Sequence, residues 1–138
     1  MKLLNSHGVK YLLIGGYAVG YYGYPRATAD MDIWVNVNDE DNFIKLISAL
    51  NEFGISIDPK DNILFKEKGQ MIRIGFPPVR IEVLSDISGV EFSECFKNKK
   101  IIELDGVEVT IISKKDLIKN KKKSARYKDL DDVENLEE

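Results

Sequence analysis

The sequence predicts an α/β (α+β) fold: one domain over residues 1–138, a mixed β-sheet flanked by helices, and a short C-terminal helical segment. Three observations lead there. Short β-branched runs alternate with stretches of helical spacing. Asp105-Gly106 separates two of those runs and signals a two-residue hairpin. A chain of 138 residues with 43% hydrophobic content suits a single core, and no repeat, linker or low-complexity tract divides it.

Taken in order, Lys2 to His7 reads as the end of a short helix, and Tyr11-Leu-Leu-Ile14 as a buried strand. Gly15-Gly16 breaks that strand, and Tyr17 to Tyr22 suits a helix packed on the sheet. Gly23 to Arg26, with Pro25, is a loop. Met31 to Val37 reads as the second strand. Asn38 or Asp39 can cap the next helix, where Phe43, Ile44, Ile47 and Leu50 recur at helical spacing and Gly54 stops the run. Ile63 to Phe65, Met71 to Phe76 and Val79 to Leu84 are strand-like, and Phe92 to Phe96 forms a helical turn. Ile101 to Leu104 and Val107 to Ile112 form the hairpin. Ser113 with Asp116 resembles a capping box, opening a helix to about Lys123, and Lys128 to Leu136 is amphipathic. The core then spans about 9–112 and the helical segment about 113–138.

Composition narrows the chemistry. A single cysteine, Cys95, permits no internal disulfide and no zinc framework, which fits a reducing cytoplasm. A single histidine, His7, excludes two-histidine metal sites. No apolar run approaches the roughly 18 residues that span a membrane, and the N-terminus has no signal-peptide core. The net charge of −3 hides a polarity: 114–128 carries seven Lys and one Arg against Asp116, whereas 129–138 carries six acids and no base. The basic block is either an anion site or a solvated helix face with a matching acidic tail.

Two short motifs carry the functional argument. Asp30 and Asp32, one residue apart in a strand, place their carboxylates on one side, roughly 7 Å apart, where they repel unless a cation lies between them. Mg²⁺ is bound by a few carboxylates with substrate phosphates completing its shell, so Asp-x-Asp at a strand start suits a metal clamp. Gly15-Gly16, between a strand and a helix, leaves backbone N–H groups directed outward as an anion cradle. The bland alternatives are a surface acid pair and a tight turn. The spacing matches neither a P-loop nor a G-x-G-x-x-G fingerprint.

Together the motifs are far more specific. Ile14-Gly15-Gly16, a helix, then Asp30-Met31-Asp32-Ile33, with thirteen residues between Gly16 and Asp30, resembles the nucleotidyltransferase superfamily, the DNA polymerase beta-like fold. Arg26-x-Thr28-x-Asp30-x-Asp32, and Asp116-Leu-Ile118 through Ala125-Arg126-x-Lys128-Asp129 and Asp132, look like its bacterial branch of small uncharacterised, abortive-infection or toxin-type members. The resemblance implies transfer of a nucleoside monophosphate from an NTP such as ATP to an acceptor hydroxyl, with release of pyrophosphate. It implies Mg²⁺ (or Mn²⁺) held by Asp30, Asp32 and a third carboxylate. Glu82, in Val79-Arg-Ile-Glu-Val-Leu84, is the best placed, with Asp86 as fallback; the family more usually has Asp. Nucleotide binding falls to Gly15, Gly16, Arg26, Thr28, Lys121, Arg126 and Lys128. Of the C-terminal candidates Lys121, Arg126 and Lys128 only some can face inward, because Lys121-Lys122-Lys123 points in three directions on a helix, and for any one of them plain solvation is the default. Tyr17, Tyr21, Tyr22, Tyr24 and Trp34 are core or loop residues first and base-stacking candidates second.

Haloacid-dehalogenase phosphatases want Thr or Val two residues after the second Asp, where this chain has Trp34, and glycosyltransferases lack the Gly-Gly signature. The competing function is a catalytically weak nucleotide-binding module, or an antitoxin- or toxin-type partner, on the same fold. Only about 25 residues follow the last expected strand, so the acceptor site is expected from a homodimer, a partner protein or the acceptor itself: an RNA end, a protein side chain or a small molecule.

Overall fold

The computed structural model describes residues 1–23, 30–55, 71–76, 79–87, 89–124, 133, 134 and 136, with the backbone alone at 30, 75, 76, 79 and 124. Helix α1 is Lys2–Ser6, strand β1 Tyr11–Ile14, helix α2 Gly15–Tyr22, strand β2 Asp30–Val35 and helix α3 Glu40–Glu52. Strands β3 (Ile72–Phe76) and β4 (Val79–Leu84) follow, then helix α4 (Phe92–Lys97), the hairpin β5 (Lys100–Leu104) and β6 (Val107–Ile111), and helix α5 (Lys114–Ser124). The six strands form one sheet in the order β3-β4-β2-β1-β6-β5. Its pairs are mixed: β2 with β4 and β1 with β6 run parallel, whereas β1–β2, β3–β4 and β5–β6 are antiparallel.

The apolar run Tyr11 to Ile14 sits at the centre because both its faces are covered; all four residues are buried. One sheet face, through Ile33 and Val83, lines an apolar cavity of about 190 Å³ with Leu4 of α1 and Leu50 of α3. The opposite face carries α2, and Trp34 meets Phe92 of α4 edge-to-face at 5.1 Å. This second face holds the carboxylates.

Most elements follow from local chemistry. Asp105 and Gly106 both have positive φ, +52° and +79°, as a primed two-residue turn requires. Ser113 and Asp116 close the expected box with aspartate in place of glutamate: the Asp116 amide donates to Ser113 Oγ at 3.2 Å. Asp39 is the cap of α3, its carboxylate accepting from the Asn42 amide. Three expectations are corrected. The glycines at 15 and 16 do not precede α2 but form its first turn. Strand β2 stops at Val35 rather than Val37. Ile44 is 58% exposed, and the inward face of α3 is made by Leu46, Ala49 and Leu50. The strand expected at Ile63 to Phe65 lies outside the described residues, as does most of the last helix, of which Val133 and Leu136 are helical and buried. No helix among the described residues is long and apolar enough to cross a membrane.

Asn42 is 2% exposed and ties three elements together. Its Oδ1 accepts from the Lys10 amide at 2.6 Å, and its Nδ2 donates to the carbonyls of Lys10 and Asn36 at 3.1 and 2.7 Å. Asn42 therefore fixes the entry to β1 against the exit of β2, which sets the register in which Ile14 meets Asp32. Truncating it removes the side-chain partner of three part-buried backbone groups, at about 1–3 kcal/mol for a group left unsatisfied. Asn42→Ala is expected to lower unfolding free energy by about 3 kcal/mol, read in urea as a lower midpoint at unchanged slope. A loss below about 0.5 kcal/mol, the range of an ordinary surface substitution, contradicts the clamp.

Candidate active site

Register brings the carboxylates together. On the parallel β2–β4 pair, Asp32 stands opposite Glu82 and Asp30 opposite Arg80. On the antiparallel pairs, Asp32 stands opposite Ile14 of β1, and Glu82 opposite Arg73 of β3. Cross-strand partners project from the same face, so Arg73, Glu82, Asp32 and Ile14 form one row across four strands. Asp30 occupies the position two residues earlier on β2; its side chain is outside the described residues.

The row ends where α2 begins. Gly15 has φ +68°, and a Cβ built there would lie 2.3 Å from Asp32 Oδ2 and 3.0 Å from its Cγ. No side chain fits in that gap, and an L-residue resists the backbone conformation as well. The glycine lets the first turn of an eight-residue helix close directly onto a carboxylate whose Oδ1 is shut away from solvent. The N-cap of that helix is Ile14, which has no side-chain acceptor, and the first turn contains no acid. With no cap from its own N-cap residue, the positive end of α2 meets Asp32 directly. Gly16, next in the turn, is buried.

Glu82 is half of an ion pair. Its side chain is 12% exposed, and its Oε1 accepts from Arg73 Nε at 3.2 Å. Asp86, the fallback, lies beyond the end of β4, is exposed, and lines a separate cavity of about 370 Å³ with Trp34 and Ser85. Register therefore selects Glu82 as the partner of Asp32. Sequence reasoning missed Arg73 and Arg80. The signal was present: in Val79-Arg-Ile-Glu-Val-Leu84, Arg80 alternates in phase with Glu82 and so shares its face.

The lysine block resolves as helix geometry requires. Lys121 is 6% exposed, on the side of α5 that buries Leu117 four residues earlier, whereas Lys122 and Lys123 are exposed. Solvation, the default for the basic candidates, is thus corrected for Lys121, which has a partner within the protein, on a helix that packs against α2. Arg26, Thr28, Arg126 and Lys128 lie outside the described residues. Of the aromatic candidates, Trp34 is core and the Tyr22 hydroxyl donates to the Ile112 carbonyl, while Tyr17 and Tyr21 are 37% and 42% exposed on α2. Tyr24 is outside the described residues. His7 pairs with Glu52, remote from the row. Burial, and then the neighbouring Asp116, pushes the Cys95 thiol up to about 12, so it stays protonated and is no nucleophile.

The oxygen donors at Asp32 and Glu82 suit a hard cation such as Mg²⁺, and the gap at Gly15 brings a helix N-terminus up to them. Among the described residues there is no ready-made group of three His, Cys, Asp or Glu side chains. The pair Asp32 and Glu82 is the part of the expected triad on which the geometry speaks.

A six-stranded mixed sheet flanked by helices in this order is the architecture of a nucleotidyltransferase fold. It is shared by a crystal structure described as a "putative nucleotidyltransferase" from Thermotoga maritima, which matches over 99% of this chain and 83% of that one, with a TM-score of 0.55 at 15% identity. That likeness shows the fold alone. The chain belongs to the family described as nucleotidyl transferase of unknown function (DUF2204), whose model matches residues 1–138. No match is found among curated proteins.

The close approach is testable by stability. Gly15→Ala is expected to cost about 2–3 kcal/mol, combining the left-handed backbone penalty with displacement of the Asp32 carboxylate. In an Asp32→Ala background the same change should cost visibly less, because the 2.3 Å clash with Oδ2 is gone. Equal costs in both backgrounds, by chemical denaturation, would show that the two residues are uncoupled.

Proposed function

We propose that the protein transfers a nucleoside monophosphate from an NTP to an acceptor hydroxyl and releases pyrophosphate, using a divalent cation. The observation that carries this reading is the junction at Gly15: an uncapped helix N-terminus closed directly onto Asp32, with Glu82 beside it in register. Backbone amides suited to a phosphate and carboxylates suited to a cation stand close together there, which supports the reading.

Asp32 and Glu82, with Asp30 as the resemblance implies, would hold the cation. Bound there, it would polarise the phosphoryl oxygens and offset charge on the attacking and leaving oxygens. The N–H groups at the start of α2 orient the triphosphate and favour its negative charge. The acceptor hydroxyl attacks the α-phosphorus in line as the bond to pyrophosphate breaks. Its proton passes to a carboxylate of the row, for which Glu82 stands on the side away from α2. Arg26, Arg126 and Lys128, as the resemblance implies, would supply positive charge toward the departing pyrophosphate. No covalent enzyme intermediate is needed, in keeping with a protonated Cys95. The rate comes from positioning and electrostatics.

Binding tests this reading without knowledge of the acceptor. Thermal unfolding is followed with each of the four NTPs, with and without Mg²⁺, for wild type and Asp32→Asn. An NTP at about 100 times its dissociation constant adds roughly 2.7 kcal/mol and raises the midpoint by a few degrees. The expected outcome is a Mg²⁺-dependent rise for at least one NTP that Asp32→Asn abolishes while remaining folded. No rise with any NTP, or a rise indifferent to Mg²⁺ and to Asp32, would overturn the assignment.

A further inference from the structure

Arg73 lies on the edge strand, in a segment that the metal and nucleotide motifs do not include. It is nonetheless the one described side chain paired with Glu82 by an ion pair, Nε to Oε1 at 3.2 Å. The two ends of that pair differ. The Arg73 side chain is 61% exposed, whereas that of Glu82 is 12% exposed. An exposed ion pair contributes little to folding, and burial adds a desolvation cost for Glu82. Stability alone is a weak reason for the arrangement, so its consequence for Glu82 is the more informative property.

Glu82 occupies a position where an aspartate would be held close to the strand by its short side chain. Glutamate has one more torsion, so its carboxylate needs an outside partner to adopt one orientation. Arg73 stands on the strand to one side of Glu82, and Asp32 on the strand to the other, with neighbouring strands roughly 4.8 Å apart. The bond from Arg73 engages Oε1, and among the described residues no hydrogen bond is made to Oε2. Metal-ligating carboxylates are themselves oriented by hydrogen bonds from a surrounding shell, and losing that partner weakens metal affinity about 10–100-fold.

We infer that Arg73 is a positioning residue: by holding Glu82 through Oε1 it presents Oε2 toward Asp32 as a cation ligand, and so lets a glutamate serve where the shorter aspartate would orient itself. The inference rests on the proposed use of Asp32 and Glu82 as metal ligands. It has a sign that simple electrostatics does not. Arg73 is a cation near a cation site, so deleting its charge would by repulsion alone tighten metal binding.

The test is Mn²⁺ binding to the nucleotide-free protein, read from the loss of the free-ion EPR signal. It compares wild type, Arg73→Met, Arg73→Lys, Glu82→Gln and the Arg73→Met/Glu82→Gln pair, with Asp32→Asn as reference. Arg73→Met is expected to weaken Mn²⁺ about tenfold, Arg73→Lys to retain part of the affinity, and Arg73→Met to have no effect once Glu82 is Gln. Metal-free melting temperatures should stay close together, because the arginine is exposed. An unchanged or tighter Arg73→Met, or equal weakening in both backgrounds, overturns the positioning role. Wild-type Mn²⁺ binding lost in Asp32→Asn would in that event leave the nucleotidyltransfer reading standing. Wild type that binds no Mn²⁺ without nucleotide overturns the positioning role, while the nucleotidyltransfer reading then stands or falls with the Mg²⁺-dependent NTP shift.

Discussion

The structure depends on one close approach, that of the Gly15 backbone to the Asp32 carboxylate. Everything nearby is arranged to permit it. The apolar run of β1 must end at Ile14 in register with Asp32, and the next residue must turn into a helix without carrying a side chain. The clamp through Asn42 sets that register, because one side chain holds both Lys10 at the entry to β1 and Asn36 at the exit of β2. Two backbone constraints far apart in sequence thereby fix a junction where a positive helix end meets a negative side chain.

Both partners gain from the juxtaposition. A carboxylate with one oxygen shut off from solvent is costly unless dipoles or cations compensate it, and a helix N-terminus without a side-chain cap is costly unless acceptors satisfy it. Placed together, each reduces the other's cost, and the remaining amides and the rest of the carboxylate row form a surface suited to a phosphate and a cation. The same logic accounts for Glu82, whose charge is balanced by Arg73 on the edge strand. The site is thus held in shape by interactions that are local to its own face.

Much of this was legible in the sequence. Gly15-Gly16 after an apolar run and Asp30-Met-Asp32 before another pointed to the junction, and strand alternation put Glu82 on the face of the Asp pair. Hairpin, capping box and most helix bounds followed from turn and cap chemistry at Asp105-Gly106, Ser113 and Asp39. What escaped was set by tertiary pairing. The helical extent of the glycines depends on how closely Asp32 approaches, which no local propensity reports. Ile44 belongs to an apolar period yet faces solvent, because the underlying sheet selects Leu46, Ala49 and Leu50. Asn42 reads as an ordinary polar residue and becomes a buried clamp only once β1 and β2 flank it. Arg73 acquires a role only through β3–β4 pairing.

The central claim is that Gly15 and Asp32 join a phosphate site to a cation site. A crystal of the protein grown with Mn²⁺ and a non-hydrolysable NTP analogue tests it most directly, since anomalous scattering locates the metal independently of any fitted side chain. The account predicts an anomalous peak coordinated by Asp32 and Glu82, with the analogue's phosphates against the leading N–H groups of α2. A peak elsewhere on the protein, or an analogue bound with its phosphates away from the Gly15 junction, would contradict it.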